Sequence, residues 1–194
     1  MYKYFKRLLD IVLSAAGLLV LSPVLLVIAV AIKLDSKGPV LFKQKRVAKG
    51  KEHFQILKFR TMYADVPKDV PTHLLDDPES KITKIGRFLR KSSLDELPQI
   101  WNILVGEMSI IGPRPALWNQ FDLIAERDKY GANDVRPGLT GLAQVMGRDE
   151  LPIEVKAKYD GEYAQNVTFA NDVKIFFKTI TSVLGAKGVK EGKQ

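Results

Sequence analysis

The sequence predicts a helix-dominated α+β protein, with an apolar membrane helix at the N-terminus and a small, basic cytoplasmic domain after it. Three observations predict this class. Residues 11–32 carry no charge, residues 40–47 and 53–62 alternate like strands, and most of the later chain has helical periodicity. With 194 residues, the chain has the length of one domain plus a small appendage.

The uncharged segment Ile11–Ile32 is long enough to enter a membrane. Its 22 residues would rise about 33 Å as a straight helix, close to the roughly 30 Å of a bilayer core. A secretory signal is disfavoured because its apolar region normally runs only about 7–15 residues. The segment is therefore predicted to stay in the membrane.

Ser22 and Pro23 lie at the middle of this segment. Pro23 has no N–H to donate to the Leu19 carbonyl, and its ring crowds that carbonyl, which kinks or breaks a helix. The Ser22 hydroxyl can satisfy such a freed carbonyl. Each half is then only about 15–18 Å long, too short to span a bilayer. We therefore predict a re-entrant helix, broken at Ser22 and Pro23, whose ends lie on the same side.

Basic residues flank both ends of the segment, and positive charge near a membrane segment favours the cytoplasmic side. A spanning helix would place one of these clusters on the opposite side. The alternative remains a spanning helix that contains a proline, since the charge rule is a bias. The flanking cations are Lys3, Lys6 and Arg7 before the segment, and Lys33, Lys37, Lys43, Lys45 and Arg46 after it.

The composition limits the chemistry. The chain has no cysteine, which excludes disulfides, thiolate zinc sites and cysteine nucleophiles. Its two histidines, His53 and His73, are too few for a histidine-rich metal site, so any metal would be a hard cation such as Mg²⁺ on carboxylates. The net charge of +8 indicates an anionic partner: nucleic acid, an anionic membrane surface or a phosphorylated substrate.

The part after Gly38 and Pro39 combines a hairpin with helices. The two alternating segments form a hairpin across residues 48–51, and residues 66–80 form a proline-rich loop. Helical patterns cover 82–93, 97–107, 116–130 and the chain from 153 onward. In residues 168–184, the apolar face fits either a membrane interface or an ordinary core. That face contains Val173, Ile175, Phe176, Phe177, Ile180 and Val183.

The segment Ser92–Gln99, SSLDELPQ, is the densest candidate for chemistry. Neighbouring carboxylates can bind Mg²⁺, and a carboxylate can attack phosphorus. The structural alternative is a capping box formed by Ser93 and Glu96. A helix that starts at Pro98 would instead leave Asp95 and Glu96 in the preceding turn. In both cases the acids lie near a helix N-terminus, where anionic groups are stabilised.

Two further motifs supply cations. In KFRTM, a strand would place Lys58 and Arg60 on one face about 6.6 Å apart, a span that suits a diphosphate. A solvated edge-strand pair is the alternative. In GPRP, Pro113 and Pro115 fix the backbone on both sides of Arg114, which limits the entropy lost when its guanidinium binds an oxyanion.

A glycine-rich stretch, RPGLTGLAQ at 136–144, would let the backbone approach a ligand closely, although alone it is a turn. We interpret Arg136, Thr140 and Gln144, together with Arg148, as candidates for a nucleotide or substrate pocket.

These motifs, in this order after the broken apolar block, resemble the bacterial sugar transferase family, specifically its small monotopic phosphoglycosyl transferases. The resemblance covers nearly the whole chain, including the DVKI segment, and Thr61 fits the family's KFR-x-M pattern. It implies a re-entrant membrane helix at 1–37 and a phosphoglycosyl transferase catalytic domain at 38–184 with interfacial amphipathic helices. Residues 185–194 are expected to be a flexible basic tail.

The resemblance also implies roles for individual residues. Asp95 is expected to be the catalytic nucleophile and Glu96 its partner, which helps to bind metal or assists the acceptor. Mg²⁺ is expected at Asp95. The expected phosphate-binding cations are Lys58, Arg60, Arg90 and Arg114.

The implied reaction has two steps. Asp95 attacks the β-phosphorus of a UDP-sugar, UMP departs, and a polyprenol (undecaprenyl) phosphate takes the phosphosugar from the aspartyl intermediate. This places the protein at the cytoplasmic face of the bacterial inner membrane, at the first membrane step of glycoconjugate assembly. Downstream glycosyltransferases are then possible partners, and nucleic acid is not. No motif identifies the sugar, and residues 66–80 and 147–153 are the candidate segments for sugar specificity.

A rival class is a non-enzymatic, membrane-anchored basic module that binds anionic lipid or nucleic acid. It explains the charge of +8 and the apolar block. It gives no reason for the GPRP motif or for adjacent acids among so many cations.

Overall fold

The computed structural model describes residues 2–67, 77–147 and 151–184, and it confirms the helix-rich α+β class. The predicted tail at 185–194 and most of the predicted loop at 66–80 lie outside these ranges. The helices are α1 (Tyr2–Asp35), α2 (Lys84–Ser92), α3 (Gln99–Val105), α4 (Phe121–Asp128), α5 (Leu142–Met146), α6 (Ile153–Gln165) and α7 (Phe169–Leu184). The strands are β1 (Leu41–Val47), β2 (His53–Phe59), β3 (Ser109–Ile111) and β4 (Gly138–Thr140).

Helix α1 is long and apolar enough to cross a membrane. It is one 34-residue helix with Pro23 inside it, so the predicted break at Ser22 and Pro23 does not separate two helices. The physical reason is local. The Ser22 hydroxyl donates a 2.8 Å hydrogen bond to the Leu19 carbonyl, the acceptor that Pro23 leaves without its usual donor.

The N-terminal end of α1 is attached to the rest of the molecule by polar contacts. The Arg7 guanidinium donates to the carbonyls of Ile103 at 2.6 Å and Leu104 at 2.8 Å, in the last turn of α3. The buried Asp10 carboxylate accepts a 3.0 Å hydrogen bond from the amide of Ile110 in β3. These contacts hold the first turns of α1 against the domain.

The C-terminal end of α1 packs on the same domain. Ile32 is buried in a cluster with Phe59 and Leu89. The Asp35 carboxylate accepts a 3.1 Å hydrogen bond from the amide of Ile85 in the first turn of α2. Both ends of α1 therefore contact one body.

The side of α1 that does not contact the domain is apolar and exposed. An exposed apolar surface of this kind is available to lipid. Its large exposed side chains include Leu19, Val20, Val24, Leu26, Val27, Val30 and Leu34.

Strands β1 and β2 form the predicted antiparallel hairpin, with Phe42 opposite Lys58. The connection is a 3₁₀ turn at Lys49–Lys51 in which Gly50 has φ +68°, a left-handed conformation that favours glycine. The hairpin carries Lys58 toward the acidic turn described below.

Strands β3 and β4 were not predicted. They pair in parallel, Ser109 with Gly138 and Ile111 with Thr140. The interpretation of 136–144 as a turn is therefore wrong for the residues of β4 and α5. Three-residue strands are too short to show a period of two. Gly138 is required here, because a Cβ atom would lie 2.1 Å from the amide nitrogen of Gly112.

Helix α7 confirms the core interpretation for one of its sides, and a membrane interface on the other side stays a prediction. Ile175 is buried in the core with Ile111 and Tyr163. On the outer side, Phe176 and Phe177 are exposed and contact each other edge to face.

Candidate active site

Asp95 and Glu96 lie in a 3₁₀ turn at Leu94–Glu96, between α2 and α3. The capping-box alternative is wrong, because Ser93 has φ +57° and its side chain makes no capping hydrogen bond. Helix α3 begins at Gln99, directly after Pro98, and leaves both acids in the preceding turn. Of the two arrangements considered from the sequence, the structure has the second.

Glu96 binds two of the predicted cations with a single oxygen. Its Oε1 atom accepts from Lys58 Nζ at 2.7 Å and from an Arg114 NH2 at 2.9 Å. Lys58 and Glu96 are mostly buried, whereas the Arg114 side chain is 39% exposed. Strand β2, the acidic turn and the GPRP loop therefore meet at this carboxylate, as the cluster of candidates predicts.

The two adjacent acids have opposite electrostatic environments. For Glu96, the cost of burial is outweighed by the charges and hydrogen bonds of Arg114 and Lys58, which hold its pKa well below the usual range. Burial raises the pKa of Asp95, and the neighbouring Glu96 charge adds to this, although Lys58, Arg90 and Arg114 oppose it. Glu96 is thus held in its charged form by two cations, whereas burial disfavours the charged form of Asp95.

Of the two remaining predicted cations, Arg90 lies near Asp95 and Arg60 binds elsewhere. Arg90, in the last turn of α2, donates from Nε to the Thr61 hydroxyl at 3.0 Å and is close enough to Asp95 to lower its pKa. Arg60 is 4% exposed. Its guanidinium donates to the Pro39 carbonyl at 2.6 Å and to the Ser36 hydroxyl and carbonyl at 2.8 Å each.

The prediction that Lys58 and Arg60 act as a pair on one diphosphate therefore needs correction. Strand β2 ends at Phe59, and the two side chains bind different partners. The Arg60 guanidinium anchors the segment after α1, where three acceptors compensate for its burial. Lys58 alone of this pair joins the acidic turn.

Three of the candidate pocket residues, Arg136, Thr140 and Gln144, bind partners away from the acidic turn. Arg136 donates to the Gly106 carbonyl at 2.9 Å, and the Thr140 hydroxyl lies 2.8 Å from that of Thr179 in α7. Gln144 donates to the carbonyl of Leu139 at 3.1 Å. Arg148 lies outside the described residues.

The donors present fit Mg²⁺ bound together with a substrate. Within residues 2–67, 77–147 and 151–184, no cluster of three or more His, Cys, Asp or Glu residues could hold a metal ion. Mg²⁺ commonly uses one or two carboxylates, with waters and substrate phosphates as the other ligands. Asp95 suits this role better than Glu96, whose Oε1 already accepts from two cations.

Sequence reasoning missed two buried residues that support the site. Arg127 in α4 donates from NH2 to the carbonyl of Arg114 at 2.9 Å and forms a 2.6 Å ion pair with Asp160 in α6. The segments around these residues read as ordinary charged helix, and no motif marked them.

Comparison with known proteins identifies a matching family and several similar sequences. The family model described as bacterial sugar transferase matches residues 1–186. A UDP-N-acetylgalactosamine-undecaprenyl-phosphate N-acetylgalactosaminephosphotransferase of Aeromonas hydrophila is 38% identical over 195 residues, which cover 97% of this chain and 46% of that protein. A UDP-glucose:undecaprenyl-phosphate glucose-1-phosphate transferase of Caulobacter vibrioides is 42% identical over 189 residues, or 92% of this chain and 69% of that protein.

The relatives differ in length. An uncharacterized sugar transferase of Bacillus subtilis is 38% identical over 186 residues, which cover 96% of this chain and 90% of that protein. The chain spans less than half the length of several others, such as the Aeromonas protein at 46% and a Haemophilus influenzae sugar transferase at 42%. The shared part thus corresponds to one portion of those longer proteins.

Proposed function

Because the chain belongs to the bacterial sugar transferase family, we propose that it transfers a sugar-1-phosphate from a UDP-sugar to undecaprenyl phosphate and releases UMP. The observation that carries the proposal is the acidic turn, where Asp95 lies beside a carboxylate that holds Lys58 and Arg114 in place. Phosphoryl transfer depends on positioning and charge neutralisation, which such a group of residues supplies.

In the proposed first step, an Asp95 carboxylate oxygen attacks the β-phosphorus of the UDP-sugar. A bond forms between Asp95 and phosphorus as the bond from phosphorus to the UMP oxygen breaks, and UMP leaves with that electron pair. In the second step, a phosphate oxygen of undecaprenyl phosphate attacks the same phosphorus and restores the Asp95 carboxylate. The chemistry follows the ordinary pattern of covalent catalysis by a carboxylate.

Lys58 and Arg114 offset the negative charge that gathers during both steps. Glu96 holds the two cations together through one oxygen, so it orients them before the substrate arrives. Arg90, near Asp95, adds a third positive charge. When bound at Asp95, Mg²⁺ would supply further neutralisation of the diphosphate. The structure supports no role for Arg60 in contacting phosphate, because its guanidinium donates to Pro39 and Ser36.

We propose that α1 is re-entrant and that the domain lies on the cytoplasmic face of the inner membrane. Contacts at both ends of α1 support this topology, since Arg7 and Asp10 bind the same body as Ile32 and Asp35. In a spanning helix, about 30 Å of hydrocarbon would separate the two ends.

The topology can be tested by cysteine labelling, because the native chain has no cysteine. Lys3→Cys and Lys37→Cys, both at exposed positions, should react with an impermeant maleimide from the same side of intact membranes. Lys51→Cys, exposed on the hairpin, marks the side of the domain. Labelling of positions 3 and 37 from opposite sides would contradict a re-entrant helix.

Pro23→Ala should shift some molecules toward the spanning topology, because it restores the missing N–H donor.

The activity itself is tested by incubating detergent-purified protein with a panel of UDP-sugars and measuring UMP. Release of UMP, with transfer of sugar phosphate to added undecaprenyl phosphate, is the expected result and would also identify the sugar. A membrane-anchored basic module that binds lipid or nucleic acid would release none from any member of the panel. The adjacent acids and the two cations bound to Glu96 favour the enzyme over that alternative.

A further inference from the structure

The loop that carries Arg114 is held by its backbone carbonyls. Four successive carbonyls accept hydrogen bonds from four different donors. The donors are Gly138 N to the Pro113 carbonyl at 2.8 Å, Arg127 NH2 to the Arg114 carbonyl at 2.9 Å, Arg46 NH1 to the Pro115 carbonyl at 2.9 Å, and Val47 N to the Ala116 carbonyl at 3.0 Å.

Carbonyls have this role because the two prolines have no N–H to donate. The loop from Gly112 to Ala116 belongs to neither a helix nor a strand, and its backbone is held by these four acceptors and by the Gly112 amide, which donates to the Thr140 carbonyl at 2.8 Å. Among the four donors, the one that binds the Arg114 residue itself comes from the charged side chain of Arg127.

Arg127 is 3% exposed, and a charge so deeply buried requires compensation. Asp160, 1% exposed, provides it by accepting from Arg127 Nε at 2.8 Å and NH2 at 2.6 Å. Next to Asp160, α6 packs closely on the chain just after α4: a Cβ atom at Gly161 would lie 2.2 Å from the Cβ of Tyr130, two residues beyond the end of α4. The ion pair therefore joins α4 to α6 where α6 is closely packed against the residues that follow α4.

Stability alone does not explain this ion pair. Apolar side chains of similar volume commonly serve a core as well as a buried ion pair does. What an apolar pair could not provide is a charged donor for the Arg114 carbonyl, and hydrogen bonds from charged donors are the stronger ones. The arrangement is thus suited to fixing the backbone of a residue whose side chain is 39% exposed and must meet the substrate.

We propose that Arg127, held by Asp160, is a positioning residue that sets the place of the Arg114 guanidinium beside Glu96. Arg127 does not touch the reacting groups; it acts through the backbone of Arg114. This inference rests on the proposed function for its catalytic consequence, but not for its structural part.

The test removes the donor and keeps the core packed. Arg127→Met combined with Asp160→Ala deletes both buried charges together and leaves no unpaired charge. We expect hydrogen exchange to rise on the order of tenfold at the amides of Val47 and Gly138, which donate to the loop carbonyls, and at the hydrogen-bonded amides of Gly112 and Leu117, as the loop opens locally. UMP release should fall by about 10- to 100-fold, the effect of a displaced catalytic group. The matched control is Lys51→Met, which breaks the exposed ion pair between Lys51 and Asp128, the neighbour of Arg127 in α4. It should change neither the hydrogen exchange nor the release of UMP.

A second variant covers failure of the first to fold. Arg127→Asp with Asp160→Arg keeps a buried ion pair but moves the guanidinium to α6, away from the Arg114 carbonyl, and should give the same two changes. When either double variant is combined with Arg114→Ala, activity should fall little below that of Arg114→Ala alone. A merely structural defect would instead lower the activity by the same factor as it does in the parent. The proposal is overturned by a folded variant that keeps the parent's exchange at the amides of Val47, Gly112, Leu117 and Gly138, or by full additivity with Arg114→Ala. Absence of UMP release from the parent would overturn the proposed function instead, and the exchange experiment would still decide the positioning role.

Discussion

Replacement of Asp95 by asparagine is expected to abolish transfer while the protein stays folded. The amide keeps the shape of the carboxyl group but cannot form an acyl phosphate, so UMP release should fall by at least about a thousandfold. Asp95 lies in the 3₁₀ turn and is not among the buried residues of the core, and removal of its charge relieves repulsion with Glu96. We therefore expect a thermal midpoint no lower than that of the parent.

The measurement that identifies the nucleophile is intact-protein mass spectrometry after mixing the enzyme with UDP-sugar alone. The parent should gain one sugar phosphate, which maps to Asp95, and release up to one equivalent of UMP without acceptor. Asp95→Asn should gain none. A parent that stays free of adduct and follows strictly sequential kinetics would show that sugar phosphate passes directly to the acceptor.

Much of the fold could be predicted because its signals are local. The hairpin has alternating residues on both sides of a glycine turn, and α2, α3 and α6 have clear helical periodicity. The parallel pair β3 and β4 could not be predicted, since each strand has three residues and the pairing joins distant segments. Helix α4 starts at Phe121, later than expected from residue 116, because the preceding residues complete the carbonyl-bound loop.

The sequence predicted which residues belong to the candidate site, but not all of the contacts that those residues make. Lys58, Arg114 and the acidic turn were recognised from motifs, and they do meet. A pattern of alternating residues cannot show that Arg60, two positions after Lys58, turns its guanidinium to the end of α1. The contact between Arg127 and the Arg114 carbonyl was also hidden, because it depends on how α4 packs against a loop.

Replacement of Glu96 by glutamine is expected to slow both half-reactions without preventing the adduct on Asp95. Its Oε1 atom now binds Lys58 at 2.7 Å and Arg114 at 2.9 Å, and the low pKa keeps this oxygen charged at neutral pH. A neutral amide would bind both cations more weakly and leave them to repel each other. Loss of one charged hydrogen bond typically costs about 1.5–3 kcal/mol, so we expect a decrease of roughly 10- to 100-fold.

The two half-reactions distinguish this role from assistance to the acceptor. If Glu96 organises Lys58 and Arg114, then Glu96→Gln should slow the release of UMP from UDP-sugar alone as well as the later transfer to undecaprenyl phosphate. Glu79→Gln, which breaks the exposed contact with Arg87, is the matched control and should leave both rates unchanged. If only the second half-reaction slows, Glu96 acts on the acceptor and the two cations keep their places without it. Slowing of both would instead identify Glu96 as the residue that prepares the cations for the diphosphate.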